Sequence, residues 1–343
     1  YDGFGQSAKL YCINAAAFDA AANPYQPGTI VWSASIGAAS GATAAYLPVS
    51  EGGFGLVYVA TAGDFGFAPG RILAFPAAAT AAPTPAWAAD NVINEGFFGG
   101  VCIAPDPTGQ PCVYAASYAF YGGLNSGNLL KVDAADGAVI WSAPTNRTRS
   151  IPLPLPDGTV LVAGGVHGYG SALGLRLFRD HGSAAELVWD TTLATWTDVN
   201  ANSAIEAGEY LEIGGWNTQP AASLGGGHAR IIVGATADPL NPRVMDAFVI
   251  DPTRGPDESG FIIEQTSGSG GSPALAAGLT VLLDGSLTVR GGAVTTDVDG
   301  DGVVTVEDII AIERGIGRTG AGRSAVIGAA RAGEVADLLE GRR

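Results

Sequence analysis

The sequence predicts an all-β protein, a β-propeller of five blades with six as the alternative, followed by a small α-helical calcium-binding element. Glycine (51) and proline (20) are abundant among the 343 residues, while charged residues make up only 15%. This composition is typical of many short strands joined by tight turns. A strand-rich unit also recurs along the chain and repeatedly ends in tryptophan. We assign residues 1–292 to the propeller and residues 293–343 to the calcium-binding element.

The repeated unit has one clear copy, GNLLKVDAADGAVIWSAP, at residues 127–144. It contains an apolar strand ending in aspartate, a glycine-containing turn and a second strand that carries a tryptophan. The tryptophans that close these units, Trp32, Trp87, Trp141 and Trp189, follow one another at intervals of 55, 54 and 48 residues. Further strands precede the copies, at 56–61, 112–117, 159–164, 231–236 and 279–285. Units of this length with about four short strands are typical of propeller blades.

The number of blades depends on how the two ends of the propeller meet. Four nearly complete units lie between about residue 44 and residue 266. The last run, LTVLLDGSLTVRGG, lacks a closing tryptophan strand, and the first segment, Lys9 to Trp32, lacks opening strands. Joining these halves gives five blades and leaves one surplus strand, which another subunit could receive. Since a blade cannot bury both faces alone, we expect the tryptophans to pack between neighbouring blades.

The segment VDAADGAVIW resembles the core of the pyrroloquinoline-quinone-like repeat, in which Asp, Gly and Trp recur in this order. The other copies match fewer of these residues. The resemblance implies a β-propeller. The quinone-dependent dehydrogenases that share the repeat are larger rings with an adjacent cysteine pair, which this sequence lacks. We therefore expect no quinone chemistry.

A candidate calcium loop, DVDGDGVVTVED, spans residues 297–308. Acids at alternating positions, glycine at position 6 and an acid at position 12 form the pattern of an EF-hand type site. The expected ligands are Asp297, Asp299, Asp301, the carbonyl of Val303, Thr305 and Asp308. With aspartate at position 12 and the helical pattern that follows, the loop resembles a dockerin repeat, which implies docking to a cohesin-like surface protein. Dockerins normally carry two repeats, and the remaining tail has no second acidic loop.

A second candidate calcium loop, DVNANSAIEAGE, spans residues 198–209, between the strand that Trp189 closes and the next strand. The expected ligands, at positions 1, 3, 5, 7, 9 and 12, are Asp198, Asn200, Asn202, the carbonyl of Ala204, Glu206 and Glu209. Ser203 stands at position 6, where glycine is expected, and should strain the turn. With fewer carboxylates, this site should bind calcium more weakly than the first. The alternative is a plain turn rich in asparagine and aspartate.

The charge of the chain restricts its partners and its location. The formal net charge is -16, from 33 acidic and 17 basic residues, which opposes binding to nucleic acid or an anionic membrane. No apolar run reaches the roughly 18 residues that a membrane-spanning helix needs. The chain opens at Tyr1 without an initiator methionine. We therefore expect a processed protein, secreted or on the cell surface, where calcium fills even weak sites.

The cysteines and histidines give little sign of catalysis. Cys102 and Cys112 bracket a turn between two apolar runs, and are either bridged or free buried thiols. Cys12 is either a core thiol or an intermolecular link. The three histidines lack metal-ligand spacing, and no serine near Asp180 and His181 stands in a nucleophile-elbow context. We therefore expect no catalytic residues.

Together, these features predict a secreted or cell-surface calcium-binding propeller with a structural or assembly role, in its boldest form the subunit of a self-assembling extracellular filament. The expected partners are other copies of the chain or a cohesin-like surface protein. The basic, partly apolar tail after residue 317 would suit docking against an acidic surface. The alternative is a ligand- or carbohydrate-binding propeller, anchored to a surface complex by the dockerin-like element. A glycan-active enzyme is a weaker hypothesis, since no convergent acid-base pair is apparent.

Overall fold

The computed structural model is all-β. It describes residues 8–38, 43–63, 68–120, 122–166, 171–223, 229–236 and 245–266, and the strand backbones at 274–276, 279–283 and 287–291. These residues form six antiparallel sheets, one short α-helix and one 3-10 turn, Val49–Glu51. The candidate loop 297–308, the tail behind it, His167 and His228 lie outside the described residues.

Four of the sheets have four strands each, in an up-and-down order in which every strand pairs with its neighbour in sequence. In chain order their strands are β3 (Ala45–Tyr46), β4 (Leu56–Ala60), β5 (Arg71–Pro76) and β6 (Trp87–Asp90); β7 (Cys102–Pro105), β8 (Pro111–Ala116), β9 (Gly127–Asp133) and β10 (Val139–Thr145); β11 (Leu153–Pro154), β12 (Thr159–Gly164), β13 (Gly174–Asp180) and β14 (Ala185–Asp190); and β15 (Ala221–Ser223), β16 (Arg230–Thr236), β17 (Met245–Ile250) and β18 (Ile262–Thr266). This is the strand order of a propeller blade. It confirms the four nearly complete units that the sequence predicts.

The two remaining sheets are smaller and lie at the two ends of the described chain. β1 (Ala8–Ile13) and β2 (Ile30–Gly37) form a two-stranded sheet. β19 (Ala274–Ala276), β20 (Leu279–Leu283) and β21 (Leu287–Gly291) form a three-stranded sheet. They correspond to the two half units of the sequence analysis. Their union into a fifth blade stays a prediction.

The chain divides into two compact units. The first comprises Tyr1–Ser171 and Arg176–Val188, and the second comprises Ala172–Leu175 and Trp189–Arg343. The first unit therefore holds β1 to β12 and the buried cluster described below. The second holds β15 to β21 and the candidate calcium loop that the structure describes.

In the first unit, each sheet buries apolar side chains against the next sheet along the chain. Tyr58 and Ile72 share one core cluster with Val113 and Leu130 of the following sheet. Because both faces of such a sheet are covered, a central strand such as β9 is buried along nearly its whole length. This explains why the inner strands are continuous apolar runs rather than alternating patterns.

The unit-closing tryptophans pack against the next sheet, as the sequence analysis expected. Trp141 of β10, for example, shares a core cluster with Val160, Val162 and Phe178. Three of the four indoles also donate a hydrogen bond across the same junction, from Trp87 Nε1 to Ala134 O (3.2 Å), from Trp141 Nε1 to Asp180 Oδ1 (3.1 Å) and from Trp189 Nε1 to Pro252 O (3.3 Å). A tryptophan here therefore supplies both buried area and a directed contact.

In three sheets, an aspartate at the end of the third strand or directly after it folds the turn that follows. Their Oδ1 atoms accept hydrogen bonds from the backbone N–H two residues later, Asp133 from Ala135 (2.7 Å), Asp180 from Gly182 (2.8 Å) and Asp251 from Thr253 (3.1 Å). Such Asx turns satisfy a backbone donor where the ladder ends. This contact gives the aspartate of the repeated unit a structural role.

Candidate functional site

The candidate calcium loop 198–209 is part of an insertion between β14 and β15. The insertion begins with the described helix, α1 (Thr191–Thr195), whose N-cap Asp190 accepts a hydrogen bond from Leu193 N at 3.1 Å. The loop closes where Thr197 N donates to Glu209 O at 2.8 Å. Residues 198–209 therefore form a closed loop between the two strands.

The insertion is fixed to the body of the second unit directly after the loop. The hydroxyl of Tyr210 accepts a hydrogen bond from Leu173 N at 3.1 Å, and Ile213 is fully buried. Burial raises the pKa of Tyr210, so this side chain stays neutral. Gly214 N then donates to Gly234 O at 3.0 Å, which returns the chain to β16. The C-terminal end of the loop is therefore anchored to packed structure.

The first half of the loop is organised by its own side-chain oxygens. Asp198 accepts from the backbone N–H of Asn202 at Oδ1 (3.0 Å) and of Ser203 at Oδ2 (2.9 Å). Asn200 Oδ1 accepts from Asn202 N (3.1 Å), and Asn202 Oδ1 accepts from Ala204 N (2.7 Å). The oxygens at positions 1, 3 and 5 thus all bond to N–H groups farther along the loop. These bonds wrap the backbone around the three side chains.

Two residues of the loop have left-handed backbone conformations. Ala201, at position 4, has φ of 59°, and Ser203, at position 6, has φ of 60°. Position 6 of an EF-hand loop carries glycine because the chain turns sharply there. Ser203 therefore adopts the conformation expected of that glycine, and it does so at a steric cost.

The two glutamates of the loop have different surroundings. Glu209 is 8% exposed, and its carboxylate accepts from Val199 N at 3.1 Å and from Trp196 Nε1 at 3.3 Å. Glu206 is exposed and accepts from Asn200 Nδ2 at 2.7 Å. Glu209, at position 12, is thus tied to the start of the loop, while Glu206 lies against position 3.

The donor set of this loop suits calcium. Its six expected ligands supply only oxygen, from three carboxylates, two amides and one backbone carbonyl, and hard cations such as calcium prefer oxygen. A carboxylate or amide oxygen that accepts one N–H retains a second lone pair for a cation. Within the part of the chain that the structure describes, no three His, Cys, Asp or Glu side chains are gathered as a metal-ligand group. The amides and the carbonyl of Ala204 would therefore have to complete the site.

The cysteines are free, so of the two alternatives for Cys102 and Cys112, a bridge or free thiols, the structure has free thiols. The expected hairpin does form from β7 and β8. Its register, however, pairs Cys102 with Tyr114 and Cys112 with Ala104, so the two cysteines do not face each other. Burial raises the pKa of the Cys112 thiol to about 12. Cys12 is a half-buried free thiol of β1, opposite Trp32.

Asp180 and His181 are consecutive in sequence but have different surroundings. The Asp180 carboxylate is buried and receives hydrogen bonds from Tyr114 and Trp141. The imidazole of His181 is half exposed, and its Nε2 lies 2.8 Å from Glu186 Oε2. The neighbouring aspartate therefore does not orient this histidine, and the geometry does not form a nucleophile-activating triad.

A buried charged cluster in the first unit was not anticipated from the sequence. Lys131 of β9 has a fully buried side chain, and its Nζ lies 2.8 Å from Asp180 Oδ2 and 3.3 Å from Asp106 Oδ2. The same Nζ donates to Gly182 O at 2.9 Å and lies 6.0 Å from the ring centroids of Tyr114 and Trp141. The sequence did contain one sign of a buried charge, a lysine inside the apolar run Leu129–Val132. Its partners come from other strands and other turns, so the run could not identify them.

No protein-family model and no curated protein matches the chain. Among solved structures it is similar to BamB from Moraxella catarrhalis (14% identity, TM-score 0.45, covering 84% of this chain and 65% of that chain). It is also similar to the Dos1 propeller (12% identity, TM-score 0.46, covering 77% of this chain and 60% of that chain). A third similar structure is a europium-containing methanol dehydrogenase (13% identity, TM-score 0.42, covering 86% of this chain and 56% of that chain). The chain thus spans less than two thirds of the length of each of these three chains.

In the described ranges, no helix combines the length and the apolar character that crossing a membrane requires.

Proposed function

We propose that this chain is a calcium-binding β-propeller, secreted or displayed on the cell surface, with a structural or assembly role. The conformation of residues 198–209 carries the proposal. The side-chain oxygens of Asp198, Asn200 and Asn202 organise the backbone, and Ser203 adopts the left-handed turn that position 6 requires. A plain Asx-rich turn explains single hydrogen bonds of this kind. It does not explain why a buried acid, Glu209, falls at position 12.

Calcium would act here chiefly by stabilising the folded state. The loop holds three carboxylates, those of Asp198, Glu206 and Glu209, and a bound cation would reduce their mutual repulsion. A ligand that binds only the folded protein adds about 2.7 kcal/mol at a hundredfold excess over its dissociation constant. Extracellular calcium modules operate at dissociation constants of about 0.1 to 1 mM. A site of this kind would therefore be filled outside cells, which motivates the proposed location.

The calcium proposal is tested by unfolding the full chain in urea, with calcium and with a chelator. We expect calcium to stabilise the wild type, and we expect the variant Asp198→Asn/Glu209→Gln to lose part of that stabilisation. Asp257→Asn/Glu258→Gln serves as the matched control, because it removes the same formal charge from an exposed turn between β17 and β18. If both variants retain the full effect of calcium, the loop 198–209 is not a calcium site.

The assembly role extends the same proposal to residues that the sequence alone describes. The loop 297–308 would fold around a second calcium ion, and the basic tail behind it would dock onto another copy of the acidic chain. A contact between different surfaces of identical chains propagates into a filament unless the rotation closes a ring. A strand lent from an end sheet to a neighbouring copy would give the same result.

Electron microscopy and sedimentation test the assembly role. In calcium, the full chain should form filaments, and a truncation lacking residues 293–343 should remain monomeric while its far-ultraviolet circular dichroism stays that of a β protein. Filaments formed equally well by the truncation would contradict the role given to the C-terminal element. Single particles that capture a cohesin-like protein only in calcium would favour the alternative, a propeller anchored to a surface complex.

A further inference from the structure

The buried cluster around Lys131 and Asp180 has the arrangement needed for a covalent modification. Lys131 Nζ and Asp180 Oδ2 lie 2.8 Å apart, and their side chains are 0% and 2% exposed. Lys131 belongs to β9, and Asp180 ends β13 in the next sheet. An amine and a carboxylate held this close, away from water, are the two halves of an amide.

We propose that Lys131 and Asp180 condense into an intramolecular isopeptide bond, which joins the sheet β7–β10 to the sheet β11–β14. The bond forms between Lys131 Nζ and Asp180 Cγ, and the bond from Cγ to Oδ2 breaks. One water leaves, so the net change is an ammonium and a carboxylate becoming an amide and water. No oxidant, reductant or cofactor is required. The proposal does not depend on calcium.

The surroundings of Asp180 resemble a site for acyl transfer. Its Oδ1 accepts two hydrogen bonds, from Trp141 Nε1 (3.1 Å) and from Gly182 N (2.8 Å). These donors would stabilise the negative charge that develops on Oδ1 as the amine attacks Cγ, as an oxyanion hole does. The oxygen that would leave, Oδ2, already accepts from the hydroxyl of Tyr114 at 2.7 Å. Desolvation and the hydrogen bond to Asp180 raise the pKa of Tyr114, so that hydroxyl retains its proton.

Asp106 supplies the group that moves the proton. Desolvation raises the pKa of its carboxyl, but hydrogen bonds from Thr108 and Gln110 and the charge of Lys131 outweigh this effect and hold it below its ordinary value. Asp106 therefore stays ionised beside the amine. A proton first passes from Lys131 to Asp180 Oδ2, giving a neutral amine and a neutral acid. After attack, Asp106 takes a proton from the nitrogen and returns it to the departing Oδ2 hydroxyl.

The burial of the site favours formation of the amide over its hydrolysis. Tyr114 and Trp141 flank the amine, and Cys112 on β8 is fully buried in the same core cluster as these rings. This packing keeps bulk water away from the amine and the carboxylate, whose side chains are 0% and 2% exposed. It also disfavours the return of the water that hydrolysis would need.

The intact mass of the folded full-length chain, measured after denaturation, tests the proposal. We expect a mass lower than that of the sequence by one water molecule. Trypsin should not cleave after Lys131, and the digest should contain a branched peptide that joins the segments carrying Lys131 and Asp180. A folded chain with the full sequence mass would overturn the proposal. So would a water loss that maps elsewhere, such as to Asp136–Gly137.

Variants separate the roles within the cluster. Lys131→Arg keeps the positive charge but should show the full sequence mass, and Asp106→Asn should show the water loss in a much smaller fraction of molecules. Asp251→Asn is the matched control. Asp251 occupies in another sheet the turn position that Asp180 occupies in its own, but its carboxylate faces Arg230 and Arg254. This control variant should retain the water loss completely. An unchanged water loss in Lys131→Arg would contradict the assignment of the amine.

Discussion

The indole Nε1 of Trp189 donates a hydrogen bond to the carbonyl oxygen of Pro252 at 3.3 Å. Trp32 is just as buried, at 6% exposure against 8%, but its Nε1 has no hydrogen-bond partner among the described residues. A hydrogen bond of this kind contributes about 1 kcal/mol, whereas a buried donor without a partner is destabilising. We therefore expect Trp189→Phe to lower the free energy of unfolding by about 1 kcal/mol more than Trp32→Phe. Urea unfolding of both variants measures the difference, and equal losses would contradict it.

A second prediction concerns the strained residue of the candidate calcium loop 198–209. Ser203 has φ of 60°, a conformation that costs a residue with a side chain about 1 kcal/mol and costs glycine much less. Ser203→Gly should therefore raise the free energy of unfolding by up to about 1 kcal/mol. Ala207→Gly, in the same loop but without a positive φ, should not stabilise the protein. Urea unfolding of both variants checks this effect, and a stabilisation common to both variants would exclude relief of strain as its cause.

The pH dependence of stability should contain a contribution from Asp251. Desolvation raises the pKa of this carboxyl, but hydrogen bonds from Thr253 and the charges of Arg230 and Arg254 more than compensate, so the folded pKa lies below its ordinary value. A carboxyl of this kind stabilises the fold above the unfolded pKa of about 3.9, and the effect disappears as pH falls through the folded pKa. Asp251→Asn should therefore be less stable than the wild type at pH 7, and the two should converge toward pH 3.

Urea unfolding at both pH values measures this convergence. Asp257→Asn, which removes an exposed carboxyl from the same turn, is the control and should show little difference at either pH. A deficit of Asp251→Asn that stays constant between pH 7 and pH 3 would contradict the role given to its charge.

The thiols offer a direct test of the described cysteines. Because all three are free, the chain unfolded without reductant should react with three equivalents of a thiol reagent. In the folded protein at pH 8, Cys112 should stay unlabelled, since it is fully buried and burial raises its pKa to about 12. One reactive thiol in the unfolded chain, rather than three, would show that two of the three cysteines are bridged and would contradict the free thiols.

The sequence was sufficient for the strands and for the tryptophan junctions. Both follow from local patterns, an apolar run for each inner strand and a tryptophan at a regular interval. The strands expected at 56–61, 112–117, 159–164 and 231–236 correspond to β4, β8, β12 and β16. Each pattern predicts the structure because a four-stranded sheet is built from consecutive strands. Its inner strands are covered on both faces, so they are apolar along their length.

What the sequence did not reveal depends on register or on contacts between sheets. The pairing of Cys102 with Tyr114 places the two cysteines diagonally, an offset set by the turn after Pro105 that residue spacing does not determine. Lys131 and Asp180 belong to different sheets, so no local pattern joins them. The candidate ligands of the loop 198–209, in contrast, lie within twelve consecutive residues, and a local pattern is enough to predict them. Long-range polar clusters are therefore where the structure adds most to the sequence.

The number of calcium ions that the full chain binds decides whether the loop 198–209 is a calcium site. Equilibrium dialysis of the full chain should find one calcium ion for each of the loops 198–209 and 297–308. Asp198→Asn/Glu209→Gln should bind one ion fewer, and Asp257→Asn/Glu258→Gln should bind as many as the wild type. If Asp198→Asn/Glu209→Gln binds as many ions as the wild type, the loop 198–209 is not a calcium site.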